Sequence, residues 1–205
     1  MMQGTARQVA SALLPTAWGE FQVLGFEREV HDGTRLRHET AMVLIMGDLR
    51  KCPPLVRIHS QCVTGDVFGS LRCDCGEQLR LALSMIAEEK AGIVIYEEQE
   101  GRGIGLLPKL QAYELQDRGY DTVEANEKLG FRVDYRDFVL PSAVLQQLGF
   151  TSVRLLTNNQ DKILALQKAG ITVVERVPCE VALSRNAIRY LKAKKEKLGQ
   201  WLTTV

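Results

Sequence analysis

The stretch "LVRIHSQCVTGDVFGSLRCDCGEQLRLALSMIAEEKAGIVIYEE" (residues 55–98) decides how the chain is organised. Its first six residues, Leu55–Ser60, are rich in β-branched and aliphatic side chains and bounded by turn residues, a strand pattern. From Glu77 to Lys90 the apolar residues Leu79, Leu83, Ile86 and Ala87 recur at helical spacing. "GIVIYEE" then reads as a short buried strand. Between the first strand and the helix, Cys62–Gly76 packs three cysteines, two acidic residues and three glycines into fifteen positions.

Working outward, "GEFQVLGFERE" (19–29) and "TAMVLIMGD" (40–48) read as strands, joined by the polar loop "HDGTRLRHET" (31–40). Downstream, residues 106–119 form a helix stopped at Gly119, and 133–149 a helical region interrupted near Pro141. A strand (153–159), a helix (161–170), a strand (172–177) and a last basic-faced helix (186–199) complete the reading. There is no internal repeat and no low-complexity tract. Strands and helices are mixed rather than strictly alternating. The expected fold class is α+β: a single domain with a mixed β-sheet and flanking helices, spanning residues 1–205, with flexible ends at 1–12 and about 190–205.

The 205 residues suffice for one substantial core. Lys+Arg (26) nearly balance Asp+Glu (25), for a net charge of +1. That balance gives no general attraction to nucleic acid or to an anionic membrane, so any anion site must be local. No stretch has the length of a membrane span, and the N-terminus lacks the apolar core of a signal peptide. A cytoplasmic protein is expected, and there thiols stay reduced.

Five cysteines are an odd number, and three of them are clustered. Cys62, Cys73 and Cys75 have ten and then one residue between them. In an extended segment, residues two apart point to the same side, so Cys73 and Cys75 can converge on one ion while Cys62 returns through the glycine-containing loop. Three thiolates suit Zn²⁺. Three readings compete: buried free thiols, a closed structural zinc completed by His59, and an open hydrolytic zinc with three protein ligands and water. His59, three residues before Cys62 on a strand, tends to point away. Cys52 and Cys179 are isolated and read as non-ligands.

"YEEQEGRGIGL" (96–106) follows a strand and opens a helix. Its glycines permit close backbone approach, and Arg102 adds a fork of donors for phosphate oxygens. A plain glycine-rich turn explains it equally well. "RIHSQ" (57–61) sets a cation and a hydroxyl before the first cysteine. "DYRDF" holds Asp134 and Arg136 two apart, which by itself is a surface ion-pair pattern. "LLTNNQDK" ends a strand with Thr157, two asparagines and Lys162, as polar recognition or as a turn capped by Asn159 or Asp161.

Taken together, "RIHSQCVTGDVFGSLRCDCG", "QEGRGIGL", "LQDRGYDTVEAN", "VDYRDF" and "RLLTNN" resemble the GTP cyclohydrolase II family, along a match running from "LPTAWGEF" to "ERVP". The resemblance implies a hydrolase of riboflavin synthesis that opens the guanine imidazole ring of GTP and releases formate and pyrophosphate. It implies one Zn²⁺ on Cys62, Cys73 and Cys75, activating water for attack at C8, and Mg²⁺ with the triphosphate. It implies Asp134 and Arg136 as acid–base and nucleophile positions, with Tyr113 beside them. GTP contacts would come from Arg57, Ile58, His59, Ser60, Gln61, Gln78, Glu100, Gly101, Arg102, Thr122, Thr157 and Lys162. A homodimer is implied, with no nucleic acid and no membrane partner. The chain departs from the usual family pattern at Gln61 (commonly Glu), Glu98 (commonly Arg) and Gln160 (commonly Pro). These departures keep two further readings in view: a relative that stops at a formamidopyrimidine or takes another nucleotide, and a non-catalytic zinc-stabilised nucleotide-binding protein.

Overall fold

The computed structural model describes residues 5–32, 35–50, 52–132, 134–181, 195 and 201. Seven strands are present among them: β1 (Arg7–Thr16), β2 (Gly19–Asp32), β3 (Arg35–Met46), β4 (Leu55–Ser60), β5 (Gly92–Glu97), β6 (Ser152–Leu156) and β7 (Thr172–Val177). They form one mixed sheet in the order β1-β2-β3-β5-β4-β6-β7. β1, β2, β3 and β5 pair antiparallel, whereas β5, β4, β6 and β7 run parallel.

The central strands β4 and β5 are buried on both faces, and the sequence shows why. "LVRIHS" and "GIVIYE" are near-continuous β-branched and aliphatic runs, the signature of strands covered on both sides. Helix α2 (Cys75–Glu89) covers one face with Ala82, Leu83 and Ile86, against Phe21, Leu44, Leu55 and Val94. The other face is covered by α5 (Val139–Gln147) and α6 (Gln160–Lys168). There Leu140, Val144, Leu145 and Leu166 pack on Val43, Val56, Ile58, Ile93 and Ile95. Alternate residues of β5 feed opposite cores, Ile93 and Ile95 to one and Val94 to the other, as the strand period of two requires.

Three further helices lie at the carboxyl ends of the parallel strands: α1 (Val63–Asp66), α3 (Leu106–Asp117) and α4 (Thr122–Lys128). The chain leaves β4 toward β5 on one side and returns from β5 to β6 on the other. This is the reversal of strand order beside which open sheets form their ligand crevices.

Three expectations change here. Residues 7–12, read as part of a flexible end, belong to β1, which pairs with β2 from Arg7 to Thr16. "HDGTRLRHET" is largely strand rather than loop, because β2 and β3 stay paired out to Asp32 and Arg35. The segment 134–138 is not helical. α5 starts at Val139 and runs unbroken with Pro141 in its first turn, where no intrahelical N–H is needed. The last helix expected, 186–199, lies outside the described residues apart from Lys195. Among the described residues, no helix is long and apolar enough to cross a membrane.

Candidate active site

Cys62 follows β4 directly, and Cys73 and Cys75 arrive at the start of α2 after the α1 turn and its loop. Their sulfurs lie within 4.8 Å of one another, with Cys62 Sγ 3.7 Å from Cys73 Sγ. Two glycines permit this. A Cβ on Gly65 would meet Cys73 Sγ at 3.1 Å, Cys75 Cβ at 3.2 Å and Cys62 Sγ at 3.3 Å. A Cβ on Gly76 would clash with the Gly65 carbonyl oxygen. The α1 backbone therefore lies directly on the first turn of α2. Among the described residues this is the one His/Cys/Asp/Glu group with the spacing of a metal site. Three converging soft sulfur donors fit zinc.

His59 is not a fourth donor. Its Nε2 lies 3.2 Å from Asp66 Oδ1, and its ring stacks on Tyr96 with centroids 5.5 Å apart. Burial lowers the His59 pKa, with Asp66 opposing. Asp66 also accepts from Cys62 N (2.9 Å) and Tyr96 OH (2.8 Å), so one carboxylate ties the end of β4 to α1.

Lys109 reaches the sulfurs from α3. Its Nζ donates to Cys62 Sγ (3.1 Å), Thr64 Oγ1 (2.9 Å) and Glu100 Oε1 (2.7 Å). Glu100 in turn accepts from Gly101 N (2.9 Å) and Val63 N (2.7 Å). Burial works against the lysine's charge, but Glu100 and Cys62 outweigh it and hold the pKa above the usual lysine range. Sulfur contacts from Cys73 and Cys75 lower the Cys62 pKa, with Lys109 adding to them. Cys73 is pushed up to about 11, first by its contact with Cys62. Tyr113, one turn beyond Lys109, sets its hydroxyl 3.2 Å from Thr64 Oγ1, and the Arg72 guanidinium lies 4.8 Å from its ring centroid. Burial raises the Tyr113 pKa and keeps the phenol protonated.

Two arginines reach the site from the segments after β5 and before α5. Glu100–Gly103 forms a tight 3-10 turn in which Gly101 (φ 60°) and Arg102 (φ 62°) are both left-handed. Left-handed backbone is free for glycine and strained for arginine. Gly103 lies so close to the next segment that a Cβ would meet Tyr135 Cβ at 3.1 Å, and Arg102 O accepts from Tyr135 N at 3.0 Å. That contact sets "DYRDF" beside the glycine turn. There Asp134 Oδ1 accepts from Arg136 N (2.9 Å) and Nε (3.0 Å), and Oδ2 from Nη2 (2.6 Å). Burial would raise the Asp134 pKa, but Arg136 prevails and lowers it.

Lys162, at the start of α6, is buried and donates to Ile58 O at 2.8 Å. Burial, then Arg57 and Arg136, drive its pKa well down. Arg57 itself braces the floor, donating to Leu156 O (3.1 Å) and Gln78 Oε1 (2.8 Å). Glu97, only 1% exposed, ends β5 on this side. Burial pushes its pKa up to about 8 against the pull of Lys162 and Arg136.

These residues meet in one cavity. It is lined by Arg57, His59, Ser60, Gln61, Cys62, Cys73, Cys75, Gln78, Glu100, Gly101, Arg102, Tyr113, Thr122, Arg136, Thr157 and Lys162. Two residues expected at the site are not in its lining. The Ile58 side chain is wholly buried in the core and offers only its carbonyl, to Lys162. Asp134 is held against Arg136, which does line the cavity. Arg72, Gln99, Lys109, Gln116 and Asn126 also line the cavity and were not expected, and Asn158 of the "LLTNNQDK" segment joins them. Lys109 was within reach of a helical reading, since it sits four residues before Tyr113 on the same face.

The departures from the family pattern also find places. Glu98 turns to β3 and accepts from Thr40 Oγ1 at 2.6 Å, outside this cavity's lining. Gln160 is the first residue of α6, a position that accepts proline as readily. Gln61 remains in the lining.

The family model described as GTP cyclohydrolase II matches residues 6–178. Curated relatives called GTP cyclohydrolase-2, from Shigella boydii serotype 18 and Escherichia coli O9:H4, are each 52% identical over 197 residues, covering 96% of this chain and 97% of theirs. Among solved structures, a two-domain 3,4-dihydroxy-2-butanone 4-phosphate synthase from A. baumannii aligns with a TM-score of 0.45 and 14% identity, over 85% of this chain and 40% of that one.

Proposed function

The chain belongs to the GTP cyclohydrolase II family, and on that premise we propose that it hydrolyses GTP in the first step of riboflavin biosynthesis. The guanine imidazole ring opens, formate and pyrophosphate leave, and a diaminopyrimidinone nucleotide remains. The observation that carries this reading is one cavity lined both by the three cysteines and by Arg102, Arg136 and Lys162. A nucleoside triphosphate offers a partner for each set: an electrophilic ring carbon for the cysteine site and oxyanions for the N–H donors.

Cys62, Cys73 and Cys75 would hold zinc, which supplies Lewis-acid activation of water for addition to C8. That carbon lies between two nitrogens and is electrophilic already, which suits a sulfur-rich and therefore mild Lewis acid. Arg102 and Arg136 direct N–H donors at phosphate oxygens, and the buried Lys162 amine adds a further N–H donor. Mg²⁺ travels with the triphosphate and neutralises part of its charge.

Arg136 acts here as a held cation. All its nitrogens are donors, and a protonated guanidinium has no lone pair for attack on phosphorus. Asp134 fixes the plane of that guanidinium. Tyr113, protonated, donates or accepts a hydrogen bond near the sulfurs. Arg57 and Gln78 brace the floor, and Thr122 and Thr157 add hydroxyls to the lining. The same premise makes the chain a single cytoplasmic domain that assembles as a homodimer.

Purified protein incubated with GTP and Mg²⁺ is expected to release formate and pyrophosphate in equal amounts, with one zinc per chain. Pyrophosphate without formate would favour a relative that stops at the formamidopyrimidine. Untouched GTP would overturn the enzymatic reading.

A further inference from the structure

We propose that Lys109 is the outer partner of the metal site: its ammonium donates to the Cys62 sulfur and offsets the negative charge that three thiolates impose on zinc. This inference rests on the zinc reading above.

The geometry leaves the lysine little else to do. An ammonium has three N–H donors, and three acceptors meet it, at 3.1 Å (Cys62 Sγ), 2.9 Å (Thr64 Oγ1) and 2.7 Å (Glu100 Oε1). Glu100 is itself anchored by two backbone N–H groups, so it holds the ammonium in line with the sulfur. Helix α3 is also turned against its own apolarity. Lys109 and Ala112 are its buried residues, whereas Leu106, Leu107 and Leu110 are exposed, Leu107 by 72%. A helix packed for hydrophobic burial alone would present the leucines. This one presents a cation.

Zn²⁺ with three thiolates carries a formal charge of −1, which weakens its pull on a fourth group. A charge-assisted N–H···S contact draws electron density back from the sulfur toward the ammonium. The ion stays more electrophilic, the effect that outer partners of metal ligands exert elsewhere. In this arrangement Lys109 works on the metal site through Cys62.

Cobalt(II) substituted for zinc gives the test, because its sulfur-to-metal charge-transfer band reports the electron density on the thiolates. Lys109→Met is expected to move that band to longer wavelength, and Lys109→Arg, which keeps a cationic donor, to leave it near the wild-type position. If Lys109→Met fails to fold, the pair Lys109→Met with Glu100→Gln, which strands no buried carboxylate, is expected to show the same shift. A band that stays fixed in Met variants that bind cobalt overturns the inference, and so does an equal shift in the Met and Arg variants. Wild-type protein that binds neither zinc nor cobalt would instead overturn the zinc reading, and this inference with it.

Discussion

Arg136 grips Asp134 through two contacts at once, Nε 3.0 Å from Oδ1 and Nη2 2.6 Å from Oδ2, and the aspartate also caps the arginine's own backbone N–H. Pair and turn form one unit, pressed against the glycine turn by Gly103. Arg136→Ala is expected to lower formate and pyrophosphate release together by about a hundredfold or more, as loss of a charge-stabilising donor does. Steady-state assays of both products check this. If Arg136→Lys retains both within about tenfold, the arginine's role is electrostatic.

The same pair gives a pH prediction. Arg136 holds the Asp134 carboxyl below its usual 3.8. Its stabilising contribution is therefore fully present above that value and lost as pH falls through the lower folded one. The stability difference between wild type and Asp134→Asn should be constant from pH 7 down to about pH 4 and shrink below that. Urea midpoints across that range measure it, and a difference that grows on acidification would contradict it.

Glu97 should behave in the opposite sense. Burial pushes its pKa up to about 8, from an ordinary 4.5, while Lys162 and Arg136 pull down and Asp137 and Glu39 push up. The folded chain thus keeps a proton that the unfolded chain has released. Stability is then lost as pH rises from about 4.5 to 8, by at most about 1.4 kcal/mol per pH unit. Glu97→Gln should flatten that slope. Equal slopes for variant and wild type in thermal melts between pH 5 and pH 8 would sink the assignment.

Arg102 holds a left-handed backbone at φ 62°, which suits glycine better. Arg102→Gly is expected to stabilise the fold by about 1 kcal/mol and to raise KM for GTP about tenfold or more. Calorimetry and initial rates report the two effects separately. A variant gaining stability with KM unchanged would remove Arg102 from the phosphate contacts.

Cys73→Ser should reduce zinc content from one per chain to a trace and abolish formate release. Elemental analysis beside the formate assay decides it, and retained zinc with normal turnover would count against the sulfur site.

The legible parts of this chain were those where one local rule suffices. The double-sided apolar runs of β4 and β5, the helical period of α2 and the crowding of three cysteines all survive in the folded structure. β1 was missed because its residues are almost all exposed, so no alternation of polar and apolar side chains marks it. Its strand character comes from the ladder to β2 instead. The polar arms of the β2–β3 hairpin were misread for the same reason. In 134–138 the aspartate turn on Arg136 N wins over the helical pattern that follows. Lys109 escaped notice because a lysine in an amphipathic helix is ordinarily a solvated residue, and only tertiary packing turns it inward.

The tight seat of Gly65 against the three cysteines reaches beyond this molecule. Even a methyl at that position would meet Cys73 Sγ at 3.1 Å and Cys62 Sγ at 3.3 Å, so the cysteines would have to give way. A relative with a larger residue at the matching position would have to seat its three cysteines differently.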